Sequence, residues 1–367
     1  MIAYDPYWLD EDAEELPKTT LQGLRSAIDN APGRPDPMSW SEYLAAPASQ
    51  QLDYDRARRL YVKRTLRVQT PEQREAHSVL QRTITANRNV PNSRRAVMVT
   101  SPSFFGKTDL ALMQARSVER GYATRFPDYR ELGHAPVAWC EVTPNTTGKS
   151  LLRGLIEFYA PGAPLPRSLS TDEMLSIAGR VTRAHHTRLI VIDEANHLGG
   201  REPAGFIKLI QNQLSSTLLL TGVDLLGGRA FGTVEGRQVT SRSIVIPLKK
   251  VDLETDSGSE LWTTWVAAFD KHLPLCDHQP GVLVDNLRVL HRATGGQLGY
   301  LALIVTQLVD NILYDFDRSD ERISTDRLWA VIDEVQCTRL ASGSMGRKRL
   351  VAPEDLVTPS ARQDHAA

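Results

Sequence analysis

The sequence predicts an α/β protein built on a mostly parallel five-stranded sheet, followed by a small all-helical unit. Three observations predict it. Five short, β-branched and nearly continuous apolar runs recur: "AVMVT" (96–100), "VAWCEV" (137–142), "LIVID" (189–193), "TLLLTG" (217–222) and "IVIPL" (244–248). Runs of this kind suit strands buried on both faces. Helical patterns such as "DLALMQARSVER" and "SLLRGLIEFYA" lie between several of them, and alternating strand and helix imply a parallel sheet. After Val251 the strand signal stops, and "ELWTTWVAAFDKHL", "VLVDNLRVLHRA", "QLGYLALIVTQLVDNILYDF" and "STDRLWAVIDEVQCTRL" all carry helical spacing.

Taken in chain order, residues 1–53 are rich in Pro and acids and predict an irregular N-terminal arm with room for a short helix. Residues 54–95 predict a basic helical extension, with eleven Lys and Arg against three acids. A helix start is expected at Thr70-Pro71, where Glu72 and Glu75 follow in the first turns. The sheet domain is expected over 96–250 and a helical unit over 251–341, with Ser324 or Thr325 capping its last helix. A polar tail takes up 342–367.

Composition narrows the function classes. A chain of 367 residues with 41% hydrophobic and 24% charged residues is an ordinary globular one. Its formal net charge of −1 argues against a wholesale polyanion binder, so any nucleic-acid surface must be local. Cys140, Cys276 and Cys337 form no C-x-x-C pair, so neither a disulfide framework nor a zinc site is expected, and a reducing cytoplasm is. The opening "MIAYDPYWLDEDAEEL" has no basic n-region and no apolar h-region, so no signal peptide is expected. The run "LALIVTQLVDNIL" is interrupted by Gln307 and Asp310 and is too short to span a bilayer, so no membrane partner is expected.

Two stretches resemble the phosphate-loop pattern G-x-x-x-x-G-K-[ST] without its first glycine: "SPSFFGKT" (Ser101 to Thr108) and "TPNTTGKS" (Thr143 to Ser150). Both follow a strand and precede a helix. Such a loop works by curling backbone N–H groups round phosphates at a helix N-terminus, with Lys adding charge and Ser or Thr holding Mg²⁺. Position in the strand order separates them. The first candidate follows the first strand, as such loops do; the second reads better as a capped helix start with a solvated lysine. Ser101, Pro102, Ser103, Phe104, Phe105, Gly106, Lys107 and Thr108 are therefore the expected nucleotide loop.

A second signal sits at the end of "RLIVIDEANHL". Strand-end acids suit a first carboxylate, Asp193, that orders Mg²⁺, and a second, Glu194, that polarises the attacking water. His197 reads as a surface or packing residue.

At this point the order of "GKT", "VIDEANHL", "LLLTGVD", "GRQVTSRSIVIPL" and "RATGGQLGYLALI" resembles the TniB-type transposition ATPases. These are AAA+ P-loop proteins related to TnsC and to the Mu B protein. The resemblance runs from about Tyr54 to Val335. It implies an AAA+ module with a C-terminal helical lid and an ATP- and Mg²⁺-dependent homo-oligomer, ring or filament. Such an oligomer binds duplex DNA without sequence preference and recruits or activates a DDE transposase. It also implies roles. Lys107 and Thr108 contact phosphate and Mg²⁺, Asp193 and Glu194 form the Walker B pair, and Thr221 stands at the sensor 1 position. Arg242 stands where an arginine finger is supplied to the neighbouring subunit, although an ordinary strand-flanking salt bridge is the plainer alternative. Gly299 occupies the sensor 2 region and takes no role.

The family usually has glycine at the positions of Ser101 and Phe104, where it permits φ > 0 and close approach to phosphate. A degraded cradle is the expectation, with weakened ATP binding and slow turnover. One alternative is a non-hydrolysing DNA and protein adaptor; another is a signalling or defence NTPase unconnected to transposition. In "DYDRARRLYVKRTLRV", Arg56, Arg59, Lys63 and Arg67 recur at three or four residues and predict one basic helix face for DNA phosphates. The plainer alternative is a solvated helix surface.

Overall fold

The computed structural model describes residues 16–357 apart from 89, 91–92, 145, 163, 200–202, 229–230, 316–317 and 342–349. The most acidic part of the N-terminal arm and most of the polar tail lie outside the described residues. In chain order the elements are α1 (Leu21–Asp29), α2 (Trp40–Ala45), α3 (Ala48–Arg64), α4 (Pro71–Asn87), β1 (Ala96–Thr100) and α5 (Lys107–Arg125). There follow β2 (Val137–Glu141), α6 (Gly148–Tyr159), α7 (Thr171–Ala184), β3 (Leu189–Asp193), α8 (Pro203–Gln213), β4 (Thr217–Gly222), α9 (Val234–Ser241) and β5 (Ser243–Pro247). Then come α10 (Asp256–Lys271), α11 (Val282–Asp285), α12 (Leu287–Thr294), α13 (Leu298–Tyr314) and α14 (Thr325–Ala341).

Two compact units share the chain. A sheet unit is formed by Ala13–Asn30 with Gln69–Leu248, and a helical unit by Ala31–Val68 with the segment from Lys249 onward. The stretch expected as one basic extension, 54–95, is thus divided between the two units at Val68. The arm before it is not irregular either. α2 and the start of α3 lie inside 1–53, and Ser39 closes a capping box with Glu42 at the head of α2. That cap is a local signal of the Ser-x-x-Glu kind.

In the sheet unit the strand order is β2-β3-β4-β1-β5, and every neighbouring pair is parallel. β1, β3 and β4 are buried at every position, as their uninterrupted apolar sequences require. The helices α4, α5, α6 and α9 pack on the strands around a core that includes Met98, Trp139, Phe158 and Phe231. Pro71 opens α4 behind Thr70, whose side chain and that of Gln73 cap each other's backbone N–H. Asn87, at the end of α4, grips Arg95 by its backbone N–H and carbonyl, at 2.9 and 2.8 Å, and donates to Thr217 Oγ1 at 2.9 Å. α1 is held by Arg116, which donates to the carbonyls of Ile28 and Ala27, and by Arg130, which pairs with Asp29 at 2.6 Å.

The helical unit packs α3 and α10 to α14 around Trp262, Phe269, Tyr300 and the apolar face of α13. Ser324 Oγ accepts from Arg327 N and so starts α14. Beneath α3 lies a buried ionic cluster. Arg58 is fully buried and binds Asp55 and Glu321, while Arg318 binds the same two carboxylates and Tyr43 Oη. Burial of Tyr43 pushes its phenol up to about 12, with Asp55 adding to the shift. Buried charges of this kind persist only when mutually paired.

Candidate functional site

Ligands of open parallel sheets bind beyond the carboxyl ends of the strands. Here β1, β3 and β4 bring Ser101, Asp193 and Thr221 to that edge, because Val99 pairs with Thr221 and Ile192 with Leu220. The loop from Ser101 to Gly106 runs from β1 into the 19-residue helix α5, whose first residue is Lys107. Gly106 is the N-cap residue with φ +76° and gives the head of α5 no side-chain cap. Ser103, Phe104, Phe105, Gly106, Lys107, Thr108, Asp109 and Glu194 line a cavity of about 240 Å³. Ligand pockets of drug size run to roughly 300–1,000 Å³. This one matches a chain of phosphates rather than a whole nucleotide.

The two departures from the loop pattern differ in kind. Phe104 adopts φ +62°, the left-handed conformation for which glycine is ordinarily kept. Ser101 does not, and the expectation that glycine's freedom is needed there is corrected. Its side chain instead donates to the Pro102 carbonyl at 3.0 Å. So the loop keeps its left-handed bend and places a half-exposed phenylalanine on it.

Lys107 is buried at 6% exposure, and its ammonium donates to the carbonyls of Pro102 and Ser101 at 2.7 and 3.1 Å. Burial lowers it from the usual lysine range, while Glu194 and Asp193 pull it partly back. Asp193, 3% exposed, gathers three donors: the Thr108 hydroxyl at 2.9 Å on Oδ2, and on Oδ1 the Thr221 hydroxyl and the Glu194 N–H. Glu194 sits in the left-handed region at φ +55°, which turns the chain sharply out of β3 at the mouth of the cavity. His197 Nε2 lies 3.9 Å from Glu194 Oε2.

Among solved structures, the chain superposes on Cdc6p of Pyrobaculum aerophilum with a TM-score of 0.51 at 14% identity, over 74% of this chain and 69% of that one. The Aeropyrum pernix ORC2 protein, solved in ADPNP and ADP complexes, gives a TM-score of 0.50 at 15% identity, over 73% and 68%. The chain has the AAA+ fold. At these identities the likeness shows fold alone. No family model matches the sequence, and no curated protein does.

Within the AAA+ fold, Arg242 falls far from its own chain's loop. It immediately precedes β5, whose Ser243 pairs with Ala96 at the start of β1, and so it lies at the amino edge of the sheet. Strands rise ~3.3 Å per residue, so a five-residue β1 sets that edge ~17 Å from Ser101. Among the described residues its guanidinium makes no ion pair, and the salt bridge considered as an alternative is not formed.

The second phosphate-loop candidate is a capped helix start: Thr147 and Ser150 form a capping box, and Lys149 donates to the Arg167 carbonyl at 2.9 Å. The expected basic face of α3 is not one open surface. Arg59 is buried with its guanidinium over the Tyr314 ring, Lys63 pairs with Asp310 at 3.1 Å, and Arg67 donates to the carbonyls of Val62, Lys63 and Leu66. Arg56 is half-buried. Helical spacing predicted the four on one helix face, but α3 ends at Arg64, so Arg67 lies beyond it, and Arg59 turns into the core.

Sequence reasoning missed two residues that fix the end of β4. Asn196 Oδ1 accepts from Val223 N at 2.9 Å, and a Cβ on Gly222 would lie 2.5 Å from that same oxygen. A glycine closing an apolar run, opposite an Asn three residues past the end of the neighbouring strand β3, leaves little signal in one sequence. Thr100 Oγ1 accepts from Leu225 N at 3.0 Å and ties the same turn to β1.

Proposed function

We propose that this protein binds ATP with Mg²⁺ at the carboxyl edge of its sheet and turns it over slowly. In this reading it assembles with further copies on duplex DNA and presents that DNA to a DDE transposase. The observation that carries the nucleotide reading is the meeting of Thr108, Asp193 and Thr221, from three separate elements, beside the cavity that Lys107 and Glu194 line. The order of sequence blocks shared with the TniB-type ATPases supports the transposition part.

Residues divide the work as follows. The N–H groups at the head of α5 and the Lys107 ammonium hold the phosphate chain. Thr108 Oγ1 and Asp193 Oδ2 are hard oxygen donors 2.9 Å apart, and among the described residues no cluster of three or more metal-ligating side chains exists. That donor set suits Mg²⁺, which takes one or two protein oxygens and completes its shell with phosphate and water. Mg²⁺ held by Thr108 and Asp193 would supply neutralisation of charge on the phosphate oxygens. Glu194 accepts a proton from the attacking water, and Thr221 fixes the Asp193 carboxylate. Arg242, a sheet's length from its own loop, serves the phosphates of a neighbouring copy. Lys63 and Arg67, at the surface of the helical unit, would have to leave Asp310 and the carbonyls of Val62, Lys63 and Leu66 to reach DNA phosphates.

The test is Mg-ATP binding by calorimetry and phosphate release on the same preparation, with and without duplex DNA. Lys107→Ala removes both signals. A native chain that binds no nucleotide overturns the reading in favour of a non-hydrolysing adaptor, for which the hold of Lys107 on its own loop carbonyls is the supporting observation. Co-purification with the product of an adjacent transposase gene tests the partner, and its absence from that gene neighbourhood returns the protein to the signalling or defence class.

A further inference from the structure

The amino edge of the sheet carries a charge pattern that the nucleotide site does not use. Five segments of the sheet unit feed that edge: 133–136, 185–188, 211–216, the described residues of 88–95 (88, 90 and 93–95) and 241–243, leading into or flanking β2, β3, β4, β1 and β5. Together they hold five arginines, three histidines and no Asp or Glu. The arginines are Arg88, Arg94, Arg95, Arg188 and Arg242. Arg94 is committed to the Leu214 carbonyl at 3.0 Å, where it caps the end of α8. Among the described residues Arg88, Arg95 and Arg188 make no ion pair, and Arg88 and Arg95 are exposed. The acids that border this edge gather at the β2 margin: Asp128 and Glu131 precede β2, and Asp29 and Glu119 are paired with Arg130 and Arg25, the latter donating to the His134 carbonyl.

Register and hydrogen bonds place these arginines in a row. Arg188, Arg95 and Arg242 stand immediately before β3, β1 and β5, and the Asn87 clamp on the Arg95 backbone brings the neighbouring Arg88 beside them. Leaving aside Arg242, from β3 to β1 is two strand steps in the order β3-β4-β1. At ~4.8 Å per step the row is ~10 Å long. Duplex DNA carries one charge per ~1.7 Å of axis, so such a row faces several phosphates at once. Like charges kept side by side without carboxylates repel one another, and a polyanion relieves that repulsion.

We infer that this amino edge is a phosphate-backbone surface for duplex DNA, with Arg88, Arg95 and Arg188 as its contacts. It rests on the DNA part of the function proposed above and places that contact on the sheet unit rather than on α3 alone. Contacts of this kind position the duplex and read no sequence.

The experiment is anisotropy of a labelled duplex between 50 and 200 mM salt, without nucleotide, so that a failure to bind ATP leaves it intact. Each phosphate contact contributes ~0.9 to the slope of log affinity against log salt. The triple variant Arg88→Ala, Arg95→Ala, Arg188→Ala is expected to flatten the slope by about 2.7, equal to roughly 40-fold less affinity change across that range. The triple Arg→Lys variant keeps the charges and most of the slope. Mg-ATP binding and melting temperature of the alanine triple stay native, because none of the three touches the loop. An unchanged slope, equal losses in the Ala and Lys triples, or no DNA binding by the native chain each overturns the inference. So does a loss seen only on anionic lipid vesicles, or only in ATP turnover.

Discussion

Replacing Phe104 by glycine tests whether the nucleotide loop holds its bend under strain. A non-glycine residue in the left-handed region costs roughly 1–2 kcal/mol, and Phe104 sits there at φ +62°. Its side chain is 45% exposed, so it contributes about half of the ~1.5–3 kcal/mol that full burial of such a side chain gives, or ~1 kcal/mol. Glycine relieves the strain, forfeits that burial, and adds ~0.5–1 kcal/mol of chain entropy to lose on folding. The net change for Phe104→Gly is therefore within about 1 kcal/mol of zero. Phe104→Ala forfeits the same burial and keeps the strain, so it is expected to be the less stable of the two by about 0.5–1 kcal/mol. In a unit of this size that separates their melting temperatures by roughly 1–4 °C. Parallel calorimetry with Mg-ATP should show tighter binding for Phe104→Gly than for the native chain, since a missing Cβ lets phosphate approach the backbone. Ser101→Gly should show no such gain, because Ser101 is not left-handed. An alanine variant as stable as the glycine one, or glycine without tighter binding, refutes the strained-cradle argument.

Lys107→Met should abolish nucleotide binding yet raise the melting temperature at neutral pH, because burial opposes the ammonium charge. The sign follows from linkage: between the lowered folded value and the usual one, the unfolded chain holds a proton that the folded chain has released, so native stability rises with pH there. The methionine variant should lose that rise in melts recorded from neutral to alkaline pH; an unchanged rise refutes the assignment. Arg242→Ala should remove turnover while leaving ATP affinity within a few fold, and mixing it with Glu194→Gln should restore some phosphate release. A mixture that stays inactive argues against a site completed by a second copy. Gly222→Ala should cost about 1–3 kcal/mol by overpacking against Asn196 and Leu225, measured in denaturant, and turnover should fall with it as Thr221 shifts. Native-like melting and turnover in that variant would show that the turn adapts.

Much of the fold was legible because a parallel strand buried on both faces is written as an uninterrupted apolar run. β1, β3 and β4 begin and end where their runs do, and β2 and β5 differ by a residue. At the candidate site, Lys107, Thr108 and Asp193, picked out by residue type, come together at one strand edge. What one sequence could not show was orientation. Arg59 has the spacing of a surface base but turns into the helical core, because α3 packs against α13. Arg58, read only as one more positive charge, proved to be the centre of the Asp55 and Glu321 cluster, whose acid partner lies 263 residues away. No local pattern carries a contact of that range. The same holds for the amino-edge arginines, which are scattered in sequence and meet only through strand register.

The interleaving of the two units sets an order for their appearance during synthesis. Every residue of the sheet unit has been made once Leu248 is added, so its core can close while the ribosome is still extending the chain. The segment Ala31–Val68 emerges long before, and its partners begin only at Lys249. At ~5–20 residues per second, the wait from Val68 to Glu321 lasts roughly 13–50 s. Throughout that interval Arg58 and Asp55 have each other but not the distant carboxylate, and the apolar face of α3, with Tyr61 and Val62, stays open to water. The polar makeup of α3 keeps this orphan segment soluble: a helix of nearly pure apolar side chains, held waiting as long, is the kind of surface that chaperones bind and neighbouring nascent chains stick to. A truncation ending near Leu248 is thus the natural way to catch the sheet unit folded with its N-terminal passenger still undocked.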